Sequence, residues 1–296
     1  MPYAPYPAFV TVSRSFSGEV SRSSYCTVAS RPESEFVFID ILADVSTPHL
    51  AILIAIFFLT SILSVATGST SLITVPAMIS LGVEAHVAVE TNMLALMFMS
   101  IGGSLPFIRH RAIHRSRLPI SILLTIVGSG LGALLLLETP VRALQFVVAA
   151  FMLVVAIFML SKREFGLFTT ETPVSGWMKI AGYTVTFLLA IYGGFFSGGY
   201  VTMLTAAFVV LFGMTFLQSM ATTKIINVFS SAAATAIFLW RGVVDIELGV
   251  ILGVAMFLGA LLGGRVVLQL SSLWLRRIFV AAVLGLAVKM LLPFVV

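Results

Sequence analysis

One apolar unit, broken by a glycine-containing step, occurs twice in this chain. Ser64–Ile113 has a counterpart in Gly194–Asp245. In each copy a small-residue break leads into a short apolar run and then a glycine (Gly82, Gly213). A longer apolar run follows, carrying Thr91-Asn92 in the first copy and Thr223-Lys224 in the second, and each copy closes on an arginine, Arg109 or Arg241. Duplicated hydrophobic units with a short, interrupted segment in matching positions are the sequence signature of a secondary transporter, and the interruption points to its binding site.

The solvent for such a unit is lipid. Hydrophobic residues make up 59% of the 296 positions and charged residues 10%, against roughly 25% charged in soluble domains. Runs of about 20 apolar residues, enough to cross about 30 Å of hydrocarbon, recur along the chain. The fold class is therefore an all-α polytopic membrane protein, multi-pass and integral. The net charge of +5 does not signal nucleic acid, because the basic residues lie in short loops between apolar runs, where they set orientation. Cys26 is the one cysteine, which excludes an intrachain disulfide and a cysteine metal cluster. No HExxH, GxSxG, Walker or paired-carboxylate arrangement occurs, and the glycine clusters sit at apolar depth instead of after a soluble strand. Neither an enzyme nor a cofactor or metal is expected.

Residues 1–46 are Ser-rich with several Tyr and Pro, lack a spanning run, and read as a polar, disordered tail. The first repeat occupies 47–160, with apolar runs at 49–67, 69–81, 86–108, 118–138 and 141–160. Residues 161–178 form the linker. The second repeat, 179–296, has runs at 179–197, 199–212, 215–240, 246–266 and 273–294. The second run of each repeat is too short for a comfortable span and reads as a half-helix, part of a re-entrant pair, or a tilted crossing. With five crossings per half, or three plus a re-entrant pair, Arg109, Arg111, Arg115, Arg117, Lys162, Arg163, Lys179, Arg265, Arg276 and Arg277 fall inside, and Arg142, Arg241 and Lys289 outside. Four crossings per half give a weaker asymmetry. The positive-inside rule thus favours the odd count, which makes the two repeats inverted relative to each other, as in several alternating-access transporters.

Lys224 is the foremost candidate for chemistry. It lies about 13 Å into its helix at 1.5 Å per residue, too deep for easy escape, and intramembrane charges face a cavity or a partner. Lys224, Asn227 and Ser231 share one helix face at i, i+3 and i+7, and Thr235 continues it. A polar stripe headed by a cation suits an anion pathway; an ion pair with Glu90 or snorkelling is the alternative. Glu90, Thr91 and Asn92 hold the equivalent place in the first repeat, so Asn92 and Lys224 are expected to approach each other near the midplane. Glu90 is then either an ion-pair partner or a proton carrier. The breaks at Gly68-Ser69-Thr70-Ser71 and Gly193-Gly194, Ser197-Gly198-Gly199 let the backbone leave helical geometry and free N–H groups for an anion, or serve only close helix packing. For Gly128/Gly132 and Gly259/Gly263, inside full-length spans, packing is expected. His86, His110 and His114 do not form a metal set.

These linked motifs resemble the TauE/SafE sulfite-exporter family of membrane permeases. In that family each half carries a glycine-rich break, a short helix often with Val-Pro, a Leu-Gly turn and an Ala-Val-Gly-Thr-Asn or Ala-Val-Gly-Thr-Ser-Lys segment. Here the first half has Val75-Pro76, Leu81-Gly82 and Ala88-Val89-Glu90-Thr91-Asn92; the second has Thr222-Thr223-Lys224, and the similarity runs over about 50–294. Ser69-Thr70-Ser71 stand where the family has further glycines, Glu90 replaces a glycine, and Val-Pro is absent from the second half. The resemblance implies transport of a small sulfur-containing anion such as sulfite or an organosulfonate. The expected function is a permease working by alternating access, with a passive channel or a membrane assembly protein as rivals. Lys224, Thr223, Asn227, Thr91, Asn92, Gly68, Ser69, Gly198 and Gly199 are expected at the substrate. The expected partners are the anion and the bilayer, with self-association open and no nucleic acid, and the expected location is the bacterial inner membrane.

Overall fold

The computed structural model describes residues 47–68, 70–109, 117–140, 143–144, 146 and 175–266. These form eight helices: α1 (Thr47–Thr67), α2 (Ser71–Ser80), α3 (Ala85–Arg109), α4 (Leu118–Leu137), α5 (Gly176–Phe195), α6 (Tyr200–Phe212), α7 (Phe216–Arg241) and α8 (Ile246–Val266). Helix is the required solution, because a backbone in hydrocarbon must satisfy its own polar groups. Six of the eight are long and apolar enough to cross a membrane, while α2 and α6 are short. Every boundary falls within a few residues of the run read from sequence. The polar tail, Ser69, the basic loop 110–116, residues 161–174 of the linker and the fifth run of the second half lie outside the described residues; of 141–160 only 143, 144 and 146 are described.

The two halves match in backbone detail. Gly68 and Gly199, which precede the short helices, both adopt left-handed φ (76° and 81°) that an L side chain resists. Gly82 and Gly213, which follow them, are also left-handed. Both pairs are 131 positions apart (199 − 68, 213 − 82). The same spacing relates two side-chain bridges: Thr74 donates to the Asn92 side chain at 2.7 Å, and Thr205 and Thr223 share a bond of 2.9 Å. This register corrects the pairing read from sequence. Asn92 corresponds to Thr223, so Lys224 stands opposite Met93. The Thr-Asn and Thr-Lys dipeptides look equivalent, but the distance from the left-handed glycine decides the alignment.

Helix packing follows the duplication. The fourth helix of each half packs against the first and third helices of the other: α4 on α5 and α7, α8 on α1 and α3. Close approach comes from the glycines expected to serve packing. Gly128 and Gly132 abut the α5 backbone at Phe187 and Ile191, and Gly259 and Gly263 abut α1 at Phe58 and Ile62. The contacts also fix helix directions. Gly249 meets Thr91 and Leu94, Gly253 meets Phe98 and Gly264 meets Pro106, so α8 runs parallel to α3. Asn227 bonds Ser100 and Lys224 packs near Gly103, so α7 runs antiparallel to α3. Leucine and isoleucine side chains such as Leu123, Leu135 and Leu188 face outward, as lipid requires. Trp177 at the start of α5 and Trp240 at the end of α7 are both highly exposed, at the positions where interfacial tryptophans anchor a membrane helix.

Among the described residues, acidic side chains gather at one end of the bundle, with Arg241, and most basic ones at the other. Arg117 opens α4, Lys179 lies in the first turn of α5 and Arg265 in the last turn of α8; parallel packing brings these together at a basic end. Glu84, Glu90, Glu138, Asp245 and Glu247 gather at the other end, where His86 bonds the Thr139 carbonyl.

Candidate functional site

The two breaks meet inside the helix bundle. Gly68 packs against Val201 and Thr202 in the first turn of α6, and Gly198 packs against Leu72 in the first turn of α2. Each short helix thus begins beside the other. From there α6 runs to the basic end, where Phe212 lies under the Arg117 guanidinium at 5.4 Å, and α2 runs to the acidic end, where α3 starts. Neither helix has a side-chain cap: Thr70 and Gly199 occupy the N-cap positions without such a bond. By contrast, α7 carries a complete capping box of Thr215 and Gln218, which satisfies first-turn amides. Two helix N-termini without side-chain caps thus direct the positive ends of two helix dipoles into one region.

Lys224 is buried (2% exposed) and reaches this region. Its Nζ donates to the Ser64 carbonyl at 3.3 Å, a carbonyl that also accepts from the Gly68 amide at 2.7 Å. The Ser64 hydroxyl bonds the Thr70 hydroxyl, which contacts the Met99 sulfur at 3.1 Å. The ammonium therefore stands beside the first break. A buried ammonium retained with one long bond to a neutral carbonyl is an unbalanced charge.

Glu90 does not balance it. The carboxylate lies 3.7 Å from His86 Nδ1. It stands 13 positions before Gly103, an α3 residue beside the Lys224 chain, about 20 Å along the helix at 1.5 Å per residue. His86 Nε2 is 2.8 Å from the Thr139 carbonyl. A carbonyl only accepts, so Nε2 carries hydrogen and Nδ1 faces Glu90. Among the described residues no carboxylate contacts Lys224.

The other candidates divide by role. Asn92 donates to Ser71 at 3.0 Å and accepts from Thr74, fastening α2 to α3; it is engaged there and not with Lys224. Thr223 fastens α6 to α7 in the matching way. Thr91 accepts from the Asp245 amide at 3.1 Å, holding the start of α8 at the acidic end, away from the breaks. Asn227 donates to Ser100 at 2.5 Å, and among the described residues its carbonyl oxygen has no hydrogen-bond partner, nor do the Ser231 and Thr235 hydroxyls farther along the stripe. Gly68, Gly198 and Gly199 are at the breaks, and Ser69 lies outside the described residues. Sequence reading missed Ser64, which receives Lys224, and the row Ser121, Thr125 and Ser129 on α4. Their four-residue spacing inside an apolar run was the available signal. Among the described residues no group of three or more His, Cys, Asp or Glu is placed to hold a metal.

A family model described as "Sulfite exporter TauE/SafE" matches residues 53–290. A "Probable membrane transporter protein" of Haemophilus influenzae is 27% identical over 247 residues, 83% of this chain and 96% of the relative. "Probable membrane transporter protein ORF9" of a Sinorhizobium species is 27% identical over 253 residues, 84% of this chain and 95% of that protein. "Probable membrane transporter protein YfcA" of Escherichia coli K12 is 28% identical over 249 residues, covering 83% and 91%. No solved structure matches the chain significantly.

Proposed function

The chain belongs to the sulfite exporter TauE/SafE family of membrane transporters, and from that premise we propose that it is a secondary transporter of a small oxyanion, sulfite or an organosulfonate, working by alternating access. The observation that carries this reading is Lys224: a buried ammonium beside a helix break, with no carboxylate in contact among the described residues. A charge in that setting is stabilised by a mobile counter-ion. Lys224 supplies the charge. The starts of α2 and α6, with Gly68, Gly198 and Gly199 around them, supply N–H donors, and we assign Ser69 to the same site. Asn227 lies one turn farther along the same face of α7 and orients the anion. Asn92 and Thr223 position α2 and α6, and Thr91 holds α8. We give proton coupling to Glu90 together with His86, because the two face each other at the acidic end.

The antiparallel course of α3 and α7, equivalent helices of the two halves, supports an inverted repeat in which each half approaches the breaks from its own side of the membrane. By the positive-inside rule we orient the basic end towards the cytoplasm, and we assign the protein to the inner membrane. The reading is tested with purified protein and sulfite. Sulfite raises the thermal unfolding temperature by mass action, and Lys224→Gln, which unfolds near the parent temperature without ligand, loses that shift. A full shift in Lys224→Gln removes the site. The rival reading, a passive anion channel, predicts labelled sulfite flux in liposomes that only dissipates gradients, whereas a secondary transporter accumulates the anion against one.

A further inference from the structure

Several buried threonines satisfy themselves on the preceding turn: Thr60, Thr186, Thr205 and Thr222 each donate to the carbonyl four residues back. A group between α4, α6 and α7 does not. Ser121, Thr125 and Ser129 lie one turn apart on one face of α4, all fully buried. Tyr200, the first residue of α6, sets its hydroxyl against Thr125 and Ser230 without a well-formed bond to either. Ser121, Thr125, Tyr200 and Ser219 have no hydrogen-bond partner among the described residues. Ser129 and Ser230 bond each other at 2.6 Å and close the inner end of the row. The row runs from the breaks, where Tyr200 follows Gly199, to the basic end, where Arg117 lies four residues before Ser121.

The duplication supplies a control within the molecule. At the spacing of 131, Ser121, Thr125 and Ser129 correspond to Leu252, Met256 and Ala260 on α8, and Ser219 and Ser230 to Ala88 and Met99 on α3. All five counterparts are buried and apolar. The two corresponding seams therefore differ in chemistry. The apolar one shows that the fold needs no hydroxyls there, so the hydroxyls of the other are not explained by packing.

We propose that the seam between α4, α6 and α7 is the passage by which the transported anion moves between the breaks and the basic end. Its hydroxyls donate in succession to the anion's oxygens in place of water. Uncharged donors suit that task, since they stabilise an oxyanion without holding it as a fixed cation would. Arg117 at the mouth draws the anion in. This inference rests on the anion-transport reading above, and its test is independent of Lys224.

The test uses thiol labelling, since Cys26 is the one native cysteine. In a Cys26→Ser background, Ser121→Cys and Thr125→Cys are compared with the counterparts Leu252→Cys and Met256→Cys. The probes are an anionic sulfonatoethyl methanethiosulfonate and its cationic trimethylammonium analogue. The first two thiols are expected to react with the anionic reagent at least tenfold faster than the second two, and faster than with the cationic reagent. Equal or slower labelling at 121 and 125, or preference for the cation, overturns the passage. Serine to cysteine is nearly isosteric and threonine to cysteine loses one methyl, and two positions guard against one variant failing to fold. If sulfite still stabilises Lys224→Gln, the central site fails whatever the labelling shows; if labelling shows no contrast, the passage fails while that site stands.

Discussion

At the scale of single residues, the polar side chains that look alike in sequence do different work. Asn92 makes two bonds, to Ser71 and from Thr74, in a setting where a buried group left unpaired costs about 1–3 kcal/mol. Asn92→Ala removes both bonds at once, leaving Thr74 only its 3.3 Å bond to the Thr70 carbonyl, and is expected to lower the thermal unfolding temperature of the detergent-solubilised protein clearly. Thr74→Val, which leaves the bond to Ser71, is expected to cost less. Equal stability of Asn92→Ala and parent would show that α2 is held by its apolar contacts alone. Lys224 was legible as the odd charge in an apolar run, because lipid makes every ionisable residue conspicuous. Its contact with the Ser64 carbonyl was not legible: those residues are 160 positions apart, and nothing local to either names the other.

At the scale of elements, glycine separates two kinds of constraint. Gly132 lies so close to α5 that a Cβ would overlap the Ile191 carbonyl oxygen, a backbone atom that cannot step aside. Gly132→Val is therefore expected to part α4 from α5 and yield protein that aggregates on extraction. A methyl at Gly82 would meet nothing within 4 Å, and only its left-handed φ of 100° resists substitution; a residue forced into that region pays about 1–2 kcal/mol. Gly82→Ala is thus expected to fold and to melt a few degrees lower. Size-exclusion profiles of the two variants check the contrast, and similar profiles would show that the α4–α5 contact is not decisive. The helices themselves were readable from sequence because a span has a required length and apolarity. The pairing of α4 with α5 and of α8 with α1 was not, since equally apolar surfaces do not announce their partners; the Gly128/Gly132 spacing showed that a close neighbour exists, not which one.

At the scale of the whole molecule, charge is segregated along the direction of the helices, with Arg117, Lys179 and Arg265 at one end and Glu84, Glu138, Asp245 and Glu247 at the other. Such a bias orients the chain in the bilayer. A single cysteine at Lys179 in intact cells is expected to resist an impermeant thiol reagent, and one at Glu138 or Glu247 to react; the reverse pattern would turn the molecule over. The interlocking of the halves has a further consequence, for biosynthesis. Because α1 and α3 find a packed neighbour in α8, the first-made half leaves the insertion machinery with its closest-fitting surface still against lipid, and holds that unfinished state until the last described helix is delivered. Insertion can proceed helix by helix, but the described bundle closes only when α8 is delivered. A truncated product would therefore be a membrane-embedded half without a matching face, ready to pair with another of its kind.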